Sequence, residues 1–142
     1  MDNTVLVLGA RGRLGGAVAQ AFAAAGWRVL AQRRVGGTAP LAVAGIEWVL
    51  ADAADTATLQ RAAAGARVVV HAMNPAYTAA AWRAEAPGLM QAATELAAAL
   101  GAHLLFPGNV YNFGSGMTAV LAPDTPQRPT TDKGRIRVDL EQ

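Results

Sequence analysis

Cysteine is absent from this chain of 142 residues, which excludes disulfides, thiolate metal sites and a thiol nucleophile. No apolar run reaches about 18 residues without a charge or several glycines, so no membrane span is expected. Metal ligands are not expected either. No basic leader with an A-x-A cleavage site precedes the first apolar run, and the reading is a cytoplasmic protein. Lysine is nearly absent: Lys133 stands alone beside 11 arginines, and the formal net charge is only +2. A surface so weakly cationic does not imply a nucleic-acid partner. Acidic residues are missing altogether between Asp2 and Glu47, an absence that bears on ligand choice below.

Apolar residues are plentiful, at 53% against 15% charged. A chain of this size and composition buries a hydrophobic core as one globular domain. The run Val5–Leu8 reads as a strand ending in Gly9, and Leu14–Ala25 carries apolar residues at helical spacing until Gly26. Arg28–Gln32 and Ile46–Leu50 read as further strands, with 33–45 a loop. Asp55 is placed to cap a helix over Thr56–Ala64. Arg67–Ala72 is apolar enough to be a strand buried on both faces. Tyr77–Leu100 is helical in pattern, with Pro87-Gly88 expected to kink or divide it. His103–Phe106 reads as a fifth strand.

Such alternation predicts an α/β, doubly wound parallel sheet in three αβα layers. Ligands of these sheets lie beyond the carboxyl ends of the strands. Those ends are Gly9–Arg13, Gln32–Arg34, Asp52, Ala72–Asn74 and Pro107–Asn109. One domain over 1–142 is expected, with 112–130 as a mobile loop. Thr130–Gln142 opens another helical pattern that the chain leaves unfinished, which reads as part of a longer protein. Trp27, Trp48 and Trp82 are expected in the core, and His71 and His103 in structural roles.

Gly9, Gly12 and Gly15 form GxxGxxG between the first strand and its helix. One glycine suits the tight turn, one lets backbone N–H groups approach a pyrophosphate, and one permits close helix-on-strand packing. Ala10, Arg11, Arg13 and Leu14 fill the positions between and beside them. A ribose 2′-hydroxyl is usually held by an acid about 20 residues onward, whereas Arg there accommodates a 2′-phosphate. This chain offers Arg33 and Arg34, with Arg11 and Arg13 nearby, and a guanidinium fork matches phosphate. NADP(H) is therefore expected over NAD(H).

With this glycine turn, Arg after the second strand, "LADAAD" (Leu50–Asp55), "VVVHAMNP" (Val68–Pro75) and "LLFPGNVYNFG" (Leu104–Gly114), the sequence resembles the extended and atypical short-chain dehydrogenase/reductases. The resemblance implies a Rossmann-like, NAD(P)-binding fold and an NADP-dependent reductase or epimerase acting on a small carbonyl or sugar-nucleotide substrate, with the substrate region following Gln142. It puts Asp52 and Ala53 near adenine, and Ala72, Met73 and Asn74 against ribose and pyrophosphate. It also implies dimers built through the long helices.

Catalysis in that family rests on a Tyr-x-x-x-Lys pair with a Ser or Thr after strand five, and here the pattern fails. Tyr77 is followed four residues later by Ala81, and Tyr111 by Ser115. The nearest overlay, "KGRIRVDLE" (Lys133–Glu141), puts Lys133 in the Tyr position and Arg137 in the Lys position. Tyr111 and Lys133 remain the candidates for proton management, Lys133 or Arg137 lowering a neighbouring pKa by charge. A non-catalytic NADP(H)-sensing protein is the alternative.

Overall fold

Five runs rich in Val, Leu, Ile and Ala make five parallel strands: β1 (Thr4–Leu8), β2 (Arg28–Arg33), β3 (Ile46–Leu50), β4 (Val68–His71) and β5 (His103–Leu105). Helices α1 (Arg13–Ala24), α2 (Thr56–Ala62), α3 (Ala79–Leu100) and α4 (Asp132–Glu141) complete the chain, with a turn of 3-10 helix at Tyr111–Phe113. The structure is a computed structural model and describes residues 3–36, 38, 40 and 42–142. Its contacts divide it into two compact units, one of residues 1–74 and 89–107, the other of 75–88 and 108–142.

The first unit holds the sheet, in the order β3-β2-β1-β4-β5. Chain order runs outward from β1 to β3, then returns to β4 on the other side of β1. The reversal falls between β1 and β4, where Leu8 pairs with His71. Successive side chains of a strand point to opposite faces, and β1 divides its core accordingly. Leu6 and Leu8 pack with Leu59 of α2 and Ala63 just after it, and with Ala93, Leu96 and Ala97 of α3. Val5 and Val7 pack with Ala19, Val18 and Phe22 of α1. Helices on both faces give the three layers that the alternating pattern predicts.

The second unit is built around the 3-10 turn and α4. Thr131 caps α4, its hydroxyl accepting the Gly134 N–H at 3.1 Å. A Cβ on Gly134 would overlap the Tyr111 carbonyl oxygen, and this bare position lets helix and turn meet. Asn112 is buried there, its amide nitrogen donating to Glu141 Oε2 at 3.1 Å. Arg137 is buried as well and donates to Glu141 Oε1 at 2.7 Å.

Two expectations need correction. Residues 77–100 do not divide at Pro87: α3 is one helix of 22 residues through it. Pro removes a hydrogen bond from a helix interior, but Trp82 and Ala86 before it and Ala93, Leu96 and Ala97 after it are buried. Packing on both sides outweighs the local loss. The stretch from 112 also does not begin as loop, because Asn112 lies buried inside the 3-10 turn.

Candidate functional site

The β1–α1 turn is shaped by the lack of side chains. Gly9 has φ +76°, a conformation L side chains rarely adopt, and a Cβ on it would lie 2.9 Å from the Ala72 carbonyl oxygen. The turn thus closes against β4 at the point where the strand order reverses. A Cβ on Gly15 would overlap the Gly9 carbonyl oxygen, so α1 starts directly on the turn. Gly12 is the N-cap of α1, exposed, with no side-chain hydrogen bond to the helix end and no acid in the first turn. A helix N-terminus carries unpaired N–H groups and a partial positive charge. With no side chain supplying an oxygen, this end suits an anion brought by a ligand.

Gln32, near the end of β2, is the residue that sequence reasoning missed. It is buried, and its amide works at both ends: Oε1 accepts the Gly9 N–H at 2.9 Å, and Nε2 donates to the Ala51 carbonyl at 2.7 Å. The Ala10 N–H adds a bond to the Gln32 carbonyl at 3.2 Å. Side chain and backbone of one residue therefore hold the glycine turn and the end of β3 in register. The available signal was a lone amide in the otherwise apolar "VLAQ".

The arginines spread around the rim. Arg33 is half-buried; its guanidinium donates to the Gly36 carbonyl at 3.1 Å, and its Nε is buried with no partner among the described residues. Arg34 is exposed beside it, and Arg13 is exposed in the first position of α1. Arg11 reaches away from the glycines, donating to the Thr38 carbonyl at 2.6 Å. Leu14 is half exposed, and Ala10 is buried. Gly37, which the 33–45 loop expectation includes, lies outside the described residues, as do Ala39 and Leu41.

Asp52 follows β3 and is exposed, with Oδ1 accepting the Ala54 N–H at 2.9 Å. It shapes the turn into α2, while Ala53 is buried beside it. Asp55 caps α2 as its position predicts, accepting the Thr58 N–H at 3.1 Å, and hydrogen bonding to the Thr58 side chain first and to its backbone N–H second holds its carboxyl below the usual range. After β4, Ala72 and Met73 are half-buried and Asn74 is exposed. Met73 packs on the core and donates its N–H to His71 Nδ1 at 3.3 Å. His71 is buried and stacks on Phe106. Gly9, Gly15, Ala72 and Met73 meet at the strand reversal in the first unit.

Tyr111 and Lys133 belong to the second unit, where the structure adds Tyr77. The Tyr77 and Tyr111 hydroxyls lie 2.5 Å apart. Lys133 Nζ sits 3.1 Å from the centre of the Tyr77 ring and donates to the Tyr77 carbonyl at 3.4 Å. Lys133 acts on Tyr111 in the expected direction, but other contacts outweigh it and hold Tyr111 above the usual phenol range. Its hydrogen bond to Tyr77 is the main cause, with burial and the Tyr77 charge adding and Lys133 opposing them. Arg137 is committed to Glu141.

Among the described residues no helix is long and apolar enough to cross a membrane. Residues 1–100 match the model of the NmrA-like family. No curated protein matches the chain. Solved structures resemble it in fold. UDP-glucose 4-epimerase from Brucella ovis, in complex with NAD, aligns with TM-score 0.82 at 21% identity, over 98% of this chain and 46% of that one. The Bordetella bronchiseptica enzyme WbmG, in complex with NAD, gives 0.78 at 21% over 99% and 48%. Uronate dehydrogenase from Agrobacterium tumefaciens gives 0.76 at 24% over 98% and 53%. The chain spans about half the length of these structures, and its Rossmann-like sheet is the fold they share.

Proposed function

This chain belongs to the NmrA-like family, and from that premise we propose that it binds NADP(H) in preference to NAD(H) at the β1–α1 turn. It serves there as the cofactor-binding part of an oxidoreductase or epimerase acting on a small carbonyl or sugar-nucleotide substrate. The observation that carries the reading is the glycine cradle: Gly9 and Gly15 leave no space for a Cβ, and the N-terminus of α1 has no side-chain cap. A pyrophosphate supplies the acceptor oxygens that such a helix end lacks.

In this assignment Gly9, Ala10, Gly12, Leu14 and Gly15 contribute backbone to the pyrophosphate, and Arg13 adds charge. Ala72, Met73 and Asn74 line the ribose side. Asp52 and Ala53 face the adenine. The nicotinamide supplies hydride chemistry when bound, and the protein orients it. Protons are managed by the tyrosine–lysine group of the second unit, where Tyr111 and Lys133 stand with Tyr77. WbmG and the Brucella epimerase were crystallised with NAD, but this sequence carries no acid between Asp2 and Glu47, where one would be placed to take a ribose hydroxyl. Arg33 and Arg34 stand there instead, with Arg11 on the same rim. The buried Arg33 Nε, without a partner among the described residues, gives a 2′-phosphate a donor to claim.

Titration of NADPH and NADH, followed by nicotinamide fluorescence, tests the assignment. NADPH is expected to bind more tightly, and Arg33→Ala to weaken NADPH more than NADH by about 1–3 kcal/mol. Equal affinities in the parent chain would remove the phosphate argument, and no binding of either would remove the nucleotide. A second reading, an NADP(H) sensor without turnover, is favoured by the missing Tyr-x-x-x-Lys and the raised Tyr111. Consumption of NADPH with a panel of carbonyl compounds separates the two.

A further inference from the structure

In the sheet β2 lies between β1 and β3, and Gln32 near its end bonds to the residue that follows each neighbour. These bonds belong to a longer line. Gly12, the N-cap of α1, donates its N–H to the Gly9 carbonyl at 3.0 Å. The Gly9 N–H donates to Gln32 Oε1 at 2.9 Å, and Gln32 Nε2 donates to the Ala51 carbonyl at 2.7 Å. Ala51 is buried and is also held through its N–H, which donates to the Arg33 carbonyl at 3.1 Å. Asp52 comes next in the chain. All of these residues lie in the first unit, so the line runs from the turn assigned to the pyrophosphate to the strand end assigned to the adenine.

Each end of the amide admits one arrangement. A backbone N–H can only donate and a backbone carbonyl can only accept, so the amide oxygen faces Gly9 and the amide nitrogen faces Ala51. A carboxylate could serve the first contact alone, and an apolar side chain neither. Gln32 is only 3% exposed, which leaves water little access to either contact. Hydrogen bonds in such an interior are stronger than in water, and successive ones polarise each other. A displacement of Gly9 therefore reaches Ala51 through one rigid planar group.

We propose that Gln32 is a positioning residue that couples the two ends of the nucleotide site: a phosphate group seated on the β1–α1 turn orders the Ala51–Asp52 edge for the adenine. The proposal rests on the nucleotide reading above and deepens it. Coupling between sites is reciprocal, so an adenine on that edge also orders the turn. Pyrophosphate and adenine are common to NADPH and NADH, and Gln32 acts on both cofactors alike. Neighbouring residues of β2 thus divide the work: Gln32 sets how tightly either dinucleotide is held, and Arg33 sets which one is preferred.

Inorganic pyrophosphate, which carries no adenine, is the probe, and backbone amide NMR of the full chain is the readout. At saturation it is expected to shift the amides of the β1–α1 turn and, through Gln32, that of Asp52. Gln32→Met, close in length and without either hydrogen-bonding group, should keep the turn shifts and lose the Asp52 shift. A Gln32 that only stabilises the fold would weaken binding and leave the Asp52 shift at saturation in place. Gln32→Glu guards against collapse of the turn, because its carboxylate still accepts from Gly9 but cannot donate to Ala51. It should lose the Asp52 shift at neutral pH and regain it at acidic pH, once the carboxyl is protonated. NADPH and NADH should both bind Gln32→Met about tenfold more weakly, within the range for coupled sites, with the ratio of the two affinities unchanged. The proposal is overturned if pyrophosphate shifts the turn of the parent but not Asp52, if both variants keep the Asp52 shift, or if Gln32→Met alters the affinity ratio or neither affinity. Those outcomes leave the nucleotide reading standing. Absence of any shift at the turn of the parent would instead remove the pyrophosphate site, and the coupling with it.

Discussion

Gln32 shows how one buried side chain can hold a binding turn together. Its amide satisfies a donor on Gly9 and an acceptor on Ala51. An unpaired buried polar group costs about 1–3 kcal/mol. Gln32→Leu, close in volume, strands both groups and is expected to destabilise the chain by at least that amount, read by chemical denaturation. Gln32→Glu tests the directionality. Its carboxylate can still accept from Gly9 but cannot donate to Ala51, so the variant should be less stable at neutral pH than at acidic pH, where a protonated carboxyl donates again. A flat profile would mean that the Ala51 bond contributes nothing. Tyr111 carries the same lesson: its environment, not its identity, decides its proton affinity, and the Tyr77 contact overrides the nearby ammonium.

At the scale of elements, glycine spacing governs whether α1 can start on β1. Gly15→Ala puts a methyl group into the Gly9 carbonyl, and overpacking of this kind costs about 1–3 kcal/mol. Its thermal midpoint should fall, and nucleotide binding should weaken with it. Gly16→Ala, whose added Cβ would sit 3.4 Å from the Ala10 carbonyl oxygen, is the matched control and should change little. This turn was legible in the sequence because close backbone approach permits one residue type. The strands were legible for a similar reason, since β1 and β4 are buried along nearly their whole length and need unbroken apolar runs. The division expected at Pro87 did not occur because a local penalty says nothing about the packing around it. The Tyr77–Tyr111–Lys133 group was invisible because its members lie 34 and 56 residues from Tyr77 and no periodic pattern connects them. Asp52 could be read either as a turn residue or as an adenine contact; the Ala54 bond accounts for the first and leaves its other oxygen for the second.

For the whole molecule, the sheet and its glycine turn lie in one compact unit, and the paired phenols and the ammonium in the other. A ligand that binds only the folded chain stabilises it by mass action, by about 2.7 kcal/mol at 100 times its dissociation constant. For a chain of this length that corresponds to a rise of several degrees in thermal midpoint. NADPH is therefore expected to raise the midpoint of the parent chain more than NADH does at the same concentration. Arg33→Ala should bring the two curves together by lowering the NADPH response and leaving the NADH response in place. The comparison separates the two parts of the cofactor argument. If both nucleotides stabilise the parent equally, the glycine cradle stands and the arginines on its rim are surface charge. If neither does, the cradle is a structural turn, and the uncapped end of α1 is satisfied by water alone.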